Sequence, residues 1–236
     1  MIDTVLFDLD GTMLPMDQDE FVNTYMGLLA KKLAPQGYEP NHLIAAVWAG
    51  TRAMVENDGK KTNEEVFWGD FCHIFGADAR KDEPLFAEFY ASDFAHARTV
   101  CGFDPGAGEV TALLKEKGVT MVMATNPLFP EIATRQRIRW AGLDPEDFAL
   151  ITTYENSRHC KPNPDYYREI LAKLGKRPEN CLMVGNDVAE DMLPAREAGL
   201  EVFLLTDCLI NKPGADLEQF PHGGFDELKE FLLKRL

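Results

Sequence analysis

Residues 4–12 read TVLFDLDGT, a short apolar stretch followed by two acidic residues and a glycine. A continuous apolar run of this kind is typical of a strand that is buried on both faces of a parallel sheet. Asp8 and Asp10 come directly after it and lie two residues apart, so on an extended segment their side chains point to the same side. The stretch therefore predicts a strand that carries two carboxylates at its carboxyl end.

After residue 100 the sequence alternates between strand and helix patterns. Strands are predicted over residues 119–123, 149–152, 181–184 and 201–205, and helices over residues 106–117, 164–174 and 225–236, among others. Strands that alternate with helices of about 10–15 residues indicate a parallel sheet with helices on both faces. We therefore predict an α/β fold with an open, Rossmann-like parallel sheet.

Residues 16–95 have a different pattern, with apolar residues at helical spacing and no strand signal. Breaks near Pro35 and Asn57 divide this stretch into helices. We predict that it forms an inserted unit of four or five helices, and that residues 1–15 and 96–236 together form the α/β core.

Three aspects of side-chain placement can also be predicted. Trp48 and Trp68 are expected to pack inside the inserted unit, and Arg52 is expected to be exposed. Three arginines lie two residues apart, at Arg135, Arg137 and Arg139. Two-residue spacing distributes side chains around a helix, which predicts that these three are solvated.

The 236 residues include 24 basic and 39 acidic side chains, which gives a net charge of −15. This charge disfavours binding to nucleic acid or to an acidic membrane surface. The five cysteines show no C-x-x-C spacing, and no apolar run approaches the ~18 residues of a membrane span. These features predict a cytoplasmic protein, with a monomer as the default state. Because the overall charge repels anions, an anionic substrate would need a local binding site that offsets its negative charge.

Polar residues follow several of the predicted strands, where ligands bind in open parallel sheets. Besides Asp8 and Asp10 they are Thr125, Asn126, Lys161, Asn186, Asp187 and Asp191. Clustered carboxylates repel one another unless a cation is present, and oxygen ligands suit Mg²⁺. Lys161, Thr125 and Asn126 could then supply positive charge and hydrogen-bond donors for a phosphate group.

These residues match four motifs in order. The first motif, D-x-D-G-[TV], matches residues 8–12. The second is a Thr at the end of an apolar strand and matches Thr125, and the third is a Lys ahead of a helix and matches Lys161. The fourth, G-D-x-x-x-x-D, is approximately matched by residues 185–191. The sequence thus resembles the haloacid dehalogenase-like (HAD) superfamily, and specifically its phosphatases with a helical C1-type cap. The inserted unit at residues 16–95 corresponds to that cap.

The resemblance implies a Mg²⁺-dependent phosphatase that acts on a small phosphorylated metabolite. Asp8 would be the nucleophile that forms an aspartyl-phosphate, and Asp10 the general acid and base. The carboxylate of Asp8 and the backbone carbonyl of Asp10 would bind the metal. Thr125 and Lys161 would hold the transferring phosphoryl group, and the cap would close over the site.

One position departs from the family pattern, because Asn186 stands where the fourth motif usually has its first Asp. Motif register favours Asn186 as the metal ligand, whereas charge favours Asp187, with Asp191 supporting it. The alternative functions are a phosphosugar mutase and a catalytically weak ligand-binding protein. A dehalogenase is disfavoured, because that branch lacks an acid at the position of Asp10.

Overall fold

The computed structural model describes residues 1–236 and contains a six-stranded parallel sheet. The strands are β1 (Thr4–Phe7), β2 (Thr120–Met123), β3 (Leu150–Ile151), β4 (Cys181–Gly185), β5 (Glu201–Leu205) and β6 (His222–Gly223). Their order across the sheet is β3-β2-β1-β4-β5-β6, which places β1 between β2 and β4. The predicted α/β class is confirmed.

Nine α-helices accompany the sheet. They are α1 (Gln18–Leu33), α2 (Pro40–Val55), α3 (Asn63–Phe75), α4 (Glu83–Ala91), α5 (Pro105–Glu116), α6 (Glu131–Trp140), α7 (Pro164–Leu174), α8 (Leu193–Glu197) and α9 (Phe225–Leu233). The first four lie between β1 and β2 in the chain, and we call them the helical segment. None of the helices has both the length and the apolar character needed to cross a membrane.

Side chains of the central strand alternate between two apolar clusters. Val5 and Phe7 of β1 pack in the cluster that contains α5, α6, α9 and the helical segment. Leu6 packs in the other cluster, which contains α7 and α8. All three side chains are fully buried, so β1 is covered on both faces, as its uninterrupted apolar sequence predicts.

The chain enters and leaves the helical segment at neighbouring points. Met16 pairs with Cys101 in an antiparallel bridge, and the N–H of Gly102 donates to the carbonyl of Pro15 at 2.7 Å. Two connections that lie side by side are the arrangement expected of an inserted unit. The division into a core and a cap at residues 16–95 stays a prediction.

The helical segment has an aromatic interior, in which Trp68 is buried as expected. Trp48, in contrast, is 47% exposed, so the prediction that it packs inside is wrong. Helix α2 turns Leu43, Val47 and Met54 inward. Trp48 follows Val47 by one residue, or about 100° around the helix, and therefore lies at the edge of that buried face.

Candidate active site

The polar residues that follow β1, β2 and β4 meet at the carboxyl end of the sheet. The last residue of β1 pairs with the last residue of β2 and with the fourth residue of β4, so the segments after them lie side by side. A cavity of about 170 Å³, the strand-end cavity, opens there. Its polar lining is Asp8, Asp10, Gln18, Thr125, Asn126, Asn186, Asp187, Glu190 and Asp191. The structure thus brings nearly all of the predicted site residues together.

Lys161 reaches this site from the loop before α7 and is only 1% exposed. Its Nζ lies 2.7 Å from Oδ1 of Asp8 and 2.6 Å from Oδ1 of Asp191. Burial alone would lower the pKa of Lys161, but the two carboxylates raise it well above its usual value. Burial also raises the pKa of Asp191, against the opposing effect of Lys161. The site therefore holds a fixed ammonium group against Asp8.

The second oxygen of Asp8 is held by the loop that follows β1. The hydroxyl of Thr12 lies 3.0 Å from Oδ2 of Asp8 and 3.0 Å from Oδ1 of Asn186. The Asn186 amide nitrogen donates to the carbonyl of Cys208 at 2.7 Å, which turns the amide oxygen toward Thr12. Gly11 has φ +85°, so a side chain there would be strained, and its Cβ would collide with the Asn186 amide.

Asp187 has a different role from Asn186 in the structure. Its Oδ1 accepts from the backbone N–H groups of Ala189 (2.7 Å) and Glu190 (3.0 Å), which caps a π-helical turn at Val188–Met192. The N–H of Asp187 itself donates to Oδ2 of Asp191 at 3.1 Å. Of the two alternative metal ligands, Asn186 therefore points its oxygen toward the hydroxyl that holds Asp8, and Asp187 stabilises the start of a helix.

Asp10 is paired with Arg137, whose guanidinium approaches Oδ2 of Asp10 directly. Arg137 is completely buried; its guanidinium carbon lies 4.3 Å from the centre of the Phe129 ring, and it also donates to the hydroxyl of Thr134 at 3.3 Å. Burial raises the pKa of Asp10, while Arg137 opposes that rise. The other oxygen of Asp10 is buried without a hydrogen-bond partner.

The prediction of a solvated Arg137 is therefore wrong. Helix α6 buries Ala133, Thr134, Arg137 and Ile138, which recur at three- and four-residue spacing on one face. The spacing of the three arginines alone predicted that they are distributed around the helix surface. The spacing of Arg137 relative to the apolar residues of α6 instead places it on the buried face. That comparison is the sequence signal that could have revealed it.

Thr125 and Asn126 differ in how they are used. Thr125 is 2% exposed and lines the strand-end cavity. The amide of Asn126 accepts from the N–H of Lys161 at 3.3 Å and donates to a carboxylate oxygen of Glu190 at 3.1 Å. Asn126 therefore fixes the loop that carries Lys161, and its contact with a phosphate group stays a prediction.

The oxygen atoms around the strand-end cavity fit Mg²⁺. No group of three or more His, Cys, Asp or Glu side chains has the arrangement of a metal site. Mg²⁺ does not need such a group, because it is usually bound through one or two carboxylates and keeps several water molecules. The candidate donors are the Asp8 carboxylate, the Asp10 carbonyl, the Asn186 amide oxygen and the Asp187 carboxylate, which are all oxygen ligands, and the four residues line the cavity.

Comparison with known proteins supports the same family that the motifs suggest. The model of the haloacid dehalogenase-like hydrolase family matches residues 2–199. The chain belongs to this family. In solved structures, a 2-haloacid dehalogenase from Pseudomonas syringae superposes with a TM-score of 0.65 over 99% of both chains, at 20% identity. That likeness shows the shared HAD fold.

Two HAD relatives are similar over most of their length. Pyrophosphatase PpaX of Bacillus cereus is 26% identical over 235 residues, which cover 98% of this chain and 95% of the relative. Phosphoglycolate phosphatase of Agrobacterium fabrum is 26% identical over 214 residues, which cover 90% and 84%. The names of both relatives describe hydrolysis of phosphate compounds.

Proposed function

We propose that this protein is a Mg²⁺-dependent phosphatase that hydrolyses a small phosphorylated metabolite through an aspartyl-phosphate on Asp8. The observation that carries the proposal is the setting of Asp8 at the end of the central strand. Its two oxygens are held by Lys161 at 2.7 Å and by Thr12 at 3.0 Å, and Asp10 lines the same cavity. The phosphate compounds named for the two relatives support the same chemistry.

The reaction has two steps. A carboxylate oxygen of Asp8 attacks phosphorus, the bond to the leaving oxygen breaks, and Asp10 gives its proton to that oxygen. Asp10, now ionised, then takes a proton from a water molecule that attacks the aspartyl-phosphate. Phosphate leaves, and Asp8 and the protonated form of Asp10 are restored. The raised pKa of Asp10 suits a group that begins as an acid.

The remaining residues hold charge and position. Lys161 offsets the negative charge of Asp8 and of the incoming phosphoryl group, and Thr125 lies where it can donate to that group. Mg²⁺, bound by the carboxylate of Asp8, the carbonyl of Asp10 and Asn186 or Asp187, would supply further positive charge to the phosphate oxygens. Local positive charge of this kind is necessary because the net charge of −15 repels an anionic substrate.

The proposal is tested by following both products of p-nitrophenyl phosphate. With Mg²⁺, we expect equal amounts of nitrophenol and inorganic phosphate, and no release when EDTA replaces the metal. Glucose 1-phosphate separates the alternatives: a mutase would yield an isomeric sugar phosphate without free phosphate. If neither p-nitrophenyl phosphate nor glucose 1-phosphate is converted, the result favours the alternative of a catalytically weak ligand-binding protein.

The choice of metal ligand leads to a separate prediction. Asn186→Ala is expected to raise the Mg²⁺ concentration for half-maximal activity by about 10- to 100-fold, because an oxygen near Asp8 is lost. Asp187→Ala should raise it less, since the Asp187 carboxylate caps a helix. Mg²⁺ titrations of activity measure both effects. The opposite order would assign the ligand to Asp187.

Arg137 is predicted to position Asp10. Arg137→Met should lower kcat by about 10- to 100-fold with little change in KM, because a displaced acid impairs the chemical step. The guanidinium favours the ionised carboxylate of Asp10, so its removal should raise the pKa of Asp10. The limb of the pH profile of kcat that depends on Asp10 should therefore move to higher pH. Arg139→Met, on the exposed side of the same helix, is the control. An unchanged pH profile in Arg137→Met would contradict this role.

A further inference from the structure

A second cavity adjoins the strand-end cavity and extends beneath the helical segment. It has a volume of about 90 Å³, and Val22, Leu128 and Phe129 line both cavities. Thirteen of its fifteen lining residues are hydrophobic, the other two are Thr51 and Pro130, and none is charged. We call it the apolar pocket. A molecule whose phosphate lies at Asp8 could therefore extend its organic part into an uncharged space.

Three hydroxyl groups of the wall are engaged with one another or with the backbone, whereas the indole N–H of Trp68 is buried without a hydrogen-bond partner. The hydroxyls of Tyr25 and Tyr90 lie 3.0 Å apart, and the hydroxyl of Thr51 donates to the carbonyl of Val47 at 2.9 Å. Burial raises the pKa of Tyr25 to about 12, so its hydroxyl is neutral at physiological pH. The wall offers a ligand mainly apolar contact.

Two arginines contact aromatic rings of the pocket wall, and both are already paired with carboxylates. Arg137 lies against the Phe129 ring but is bound to Asp10. Arg80 lies 4.9 Å from the centre of the Trp68 ring and is paired with Glu64 at 3.2 Å and Glu83 at 3.1 Å. The residues that line the pocket supply no positive charge to a carboxylate or a second phosphate placed there, and leaving such a charge unpaired is unfavourable.

We propose that the apolar pocket binds the leaving group of the substrate, and that the protein prefers phosphate monoesters of small, uncharged, apolar alcohols over phosphorylated acids and pyrophosphate. The proposal rests on the phosphatase function proposed above. A cavity of about 150 Å³ can hold benzene, so the smaller volume here suits a short alkyl group. Each buried methylene group favours binding by about fourfold.

Two esters of matched shape test the preference. 3-Methylbutyl phosphate and 3-(phosphonooxy)propanoate have the same number of non-hydrogen atoms. The first ends in an isopropyl group where the second ends in a carboxylate. We expect kcat/KM to be on the order of 100-fold higher for the methylbutyl ester. Equal values, or a preference for the acid, would overturn the pocket assignment. If p-nitrophenyl phosphate is hydrolysed in that case, the phosphatase function itself stands; if no ester is hydrolysed, both proposals fail.

A charge placed at the edge of the apolar pocket provides the second test. Trp48 lines the pocket and is 47% exposed, so Trp48→Arg should fold and bring a cation to its edge. We expect this variant to reduce the preference for the methylbutyl ester by at least about tenfold. Val55→Arg, at a 39% exposed position of the same helix outside the pocket, should keep the wild-type preference. The same preference in Trp48→Arg and wild type would contradict the proposal.

Discussion

Asp8→Asn is expected to lower phosphate release from p-nitrophenyl phosphate by at least about 1,000-fold, because an amide cannot act as the nucleophile. The substitution preserves the local geometry. The amide oxygen can accept from Lys161, and the amide nitrogen can donate to the hydroxyl of Thr12, which occupy the two sides of Asp8. The loss should therefore come from chemistry and not from unfolding.

Two measurements separate these causes. Thermal unfolding should show a folded Asp8→Asn protein, and acid quenching during turnover of a ³²P-labelled ester should trap labelled protein only in the wild type. Asp19→Asn, an exposed change of the same kind in the first turn of α1, should behave as wild type. Equal activity in wild type and Asp8→Asn would show that hydrolysis does not proceed through this carboxylate.

Lys161→Met is expected to affect both stability and activity. It leaves the carboxylates of Asp8 and Asp191 facing each other in a buried site without their shared cation. Removing one partner of a buried ion pair lowers the free energy of unfolding by about 3–5 kcal/mol. Activity should fall by about 100- to 1,000-fold, because the phosphoryl group loses a fixed positive charge. Urea unfolding and kcat/KM measure the two effects.

The double variant Lys161→Met/Asp191→Asn distinguishes structural from catalytic loss. It removes one of the two uncompensated charges, and the amide oxygen introduced at position 191 can still accept from the N–H of Asp187. We expect it to regain part of the lost stability while its activity stays low. The matched control is Asp191→Asn alone, which retains Lys161 beside Asp8. If the double variant is as active as this control, Lys161 has no direct part in the reaction.

The fold could be predicted because its signals lie between neighbours in the chain. The apolar run of β1, the alternation of strands and helices after residue 100, and the helical spacing before it are local patterns. The helix predicted over residues 164–174 is α7 (Pro164–Leu174). Exposure at the edge of a helix face was harder to predict, as Trp48 shows, because it depends on which other helices pack against that face.

The candidate catalytic residues could also be identified from the sequence, because Asp8 and Asp10 lie within one short motif. The choice between Asn186 and Asp187 could not be made in the same way. It depends on where each side chain points, and contacts far apart in the chain set that direction. Thr12 lies 174 residues from the Asn186 that it contacts.

The sequence by itself determined the α/β class, the position of the helical segment and the carboxylates at the end of β1, since each depends on periodicity or on a contiguous motif. The spacing of apolar residues in α6 could place Arg137 on a buried face, but only the tertiary structure decided that its partner there is Asp10, which lies 127 residues away in the chain. The tertiary structure also decided that the apolar pocket exists, because its wall combines helices α1 to α4 with the loops after β2 and β3. Such contacts depend on how whole elements pack, and no spacing within one element encodes them.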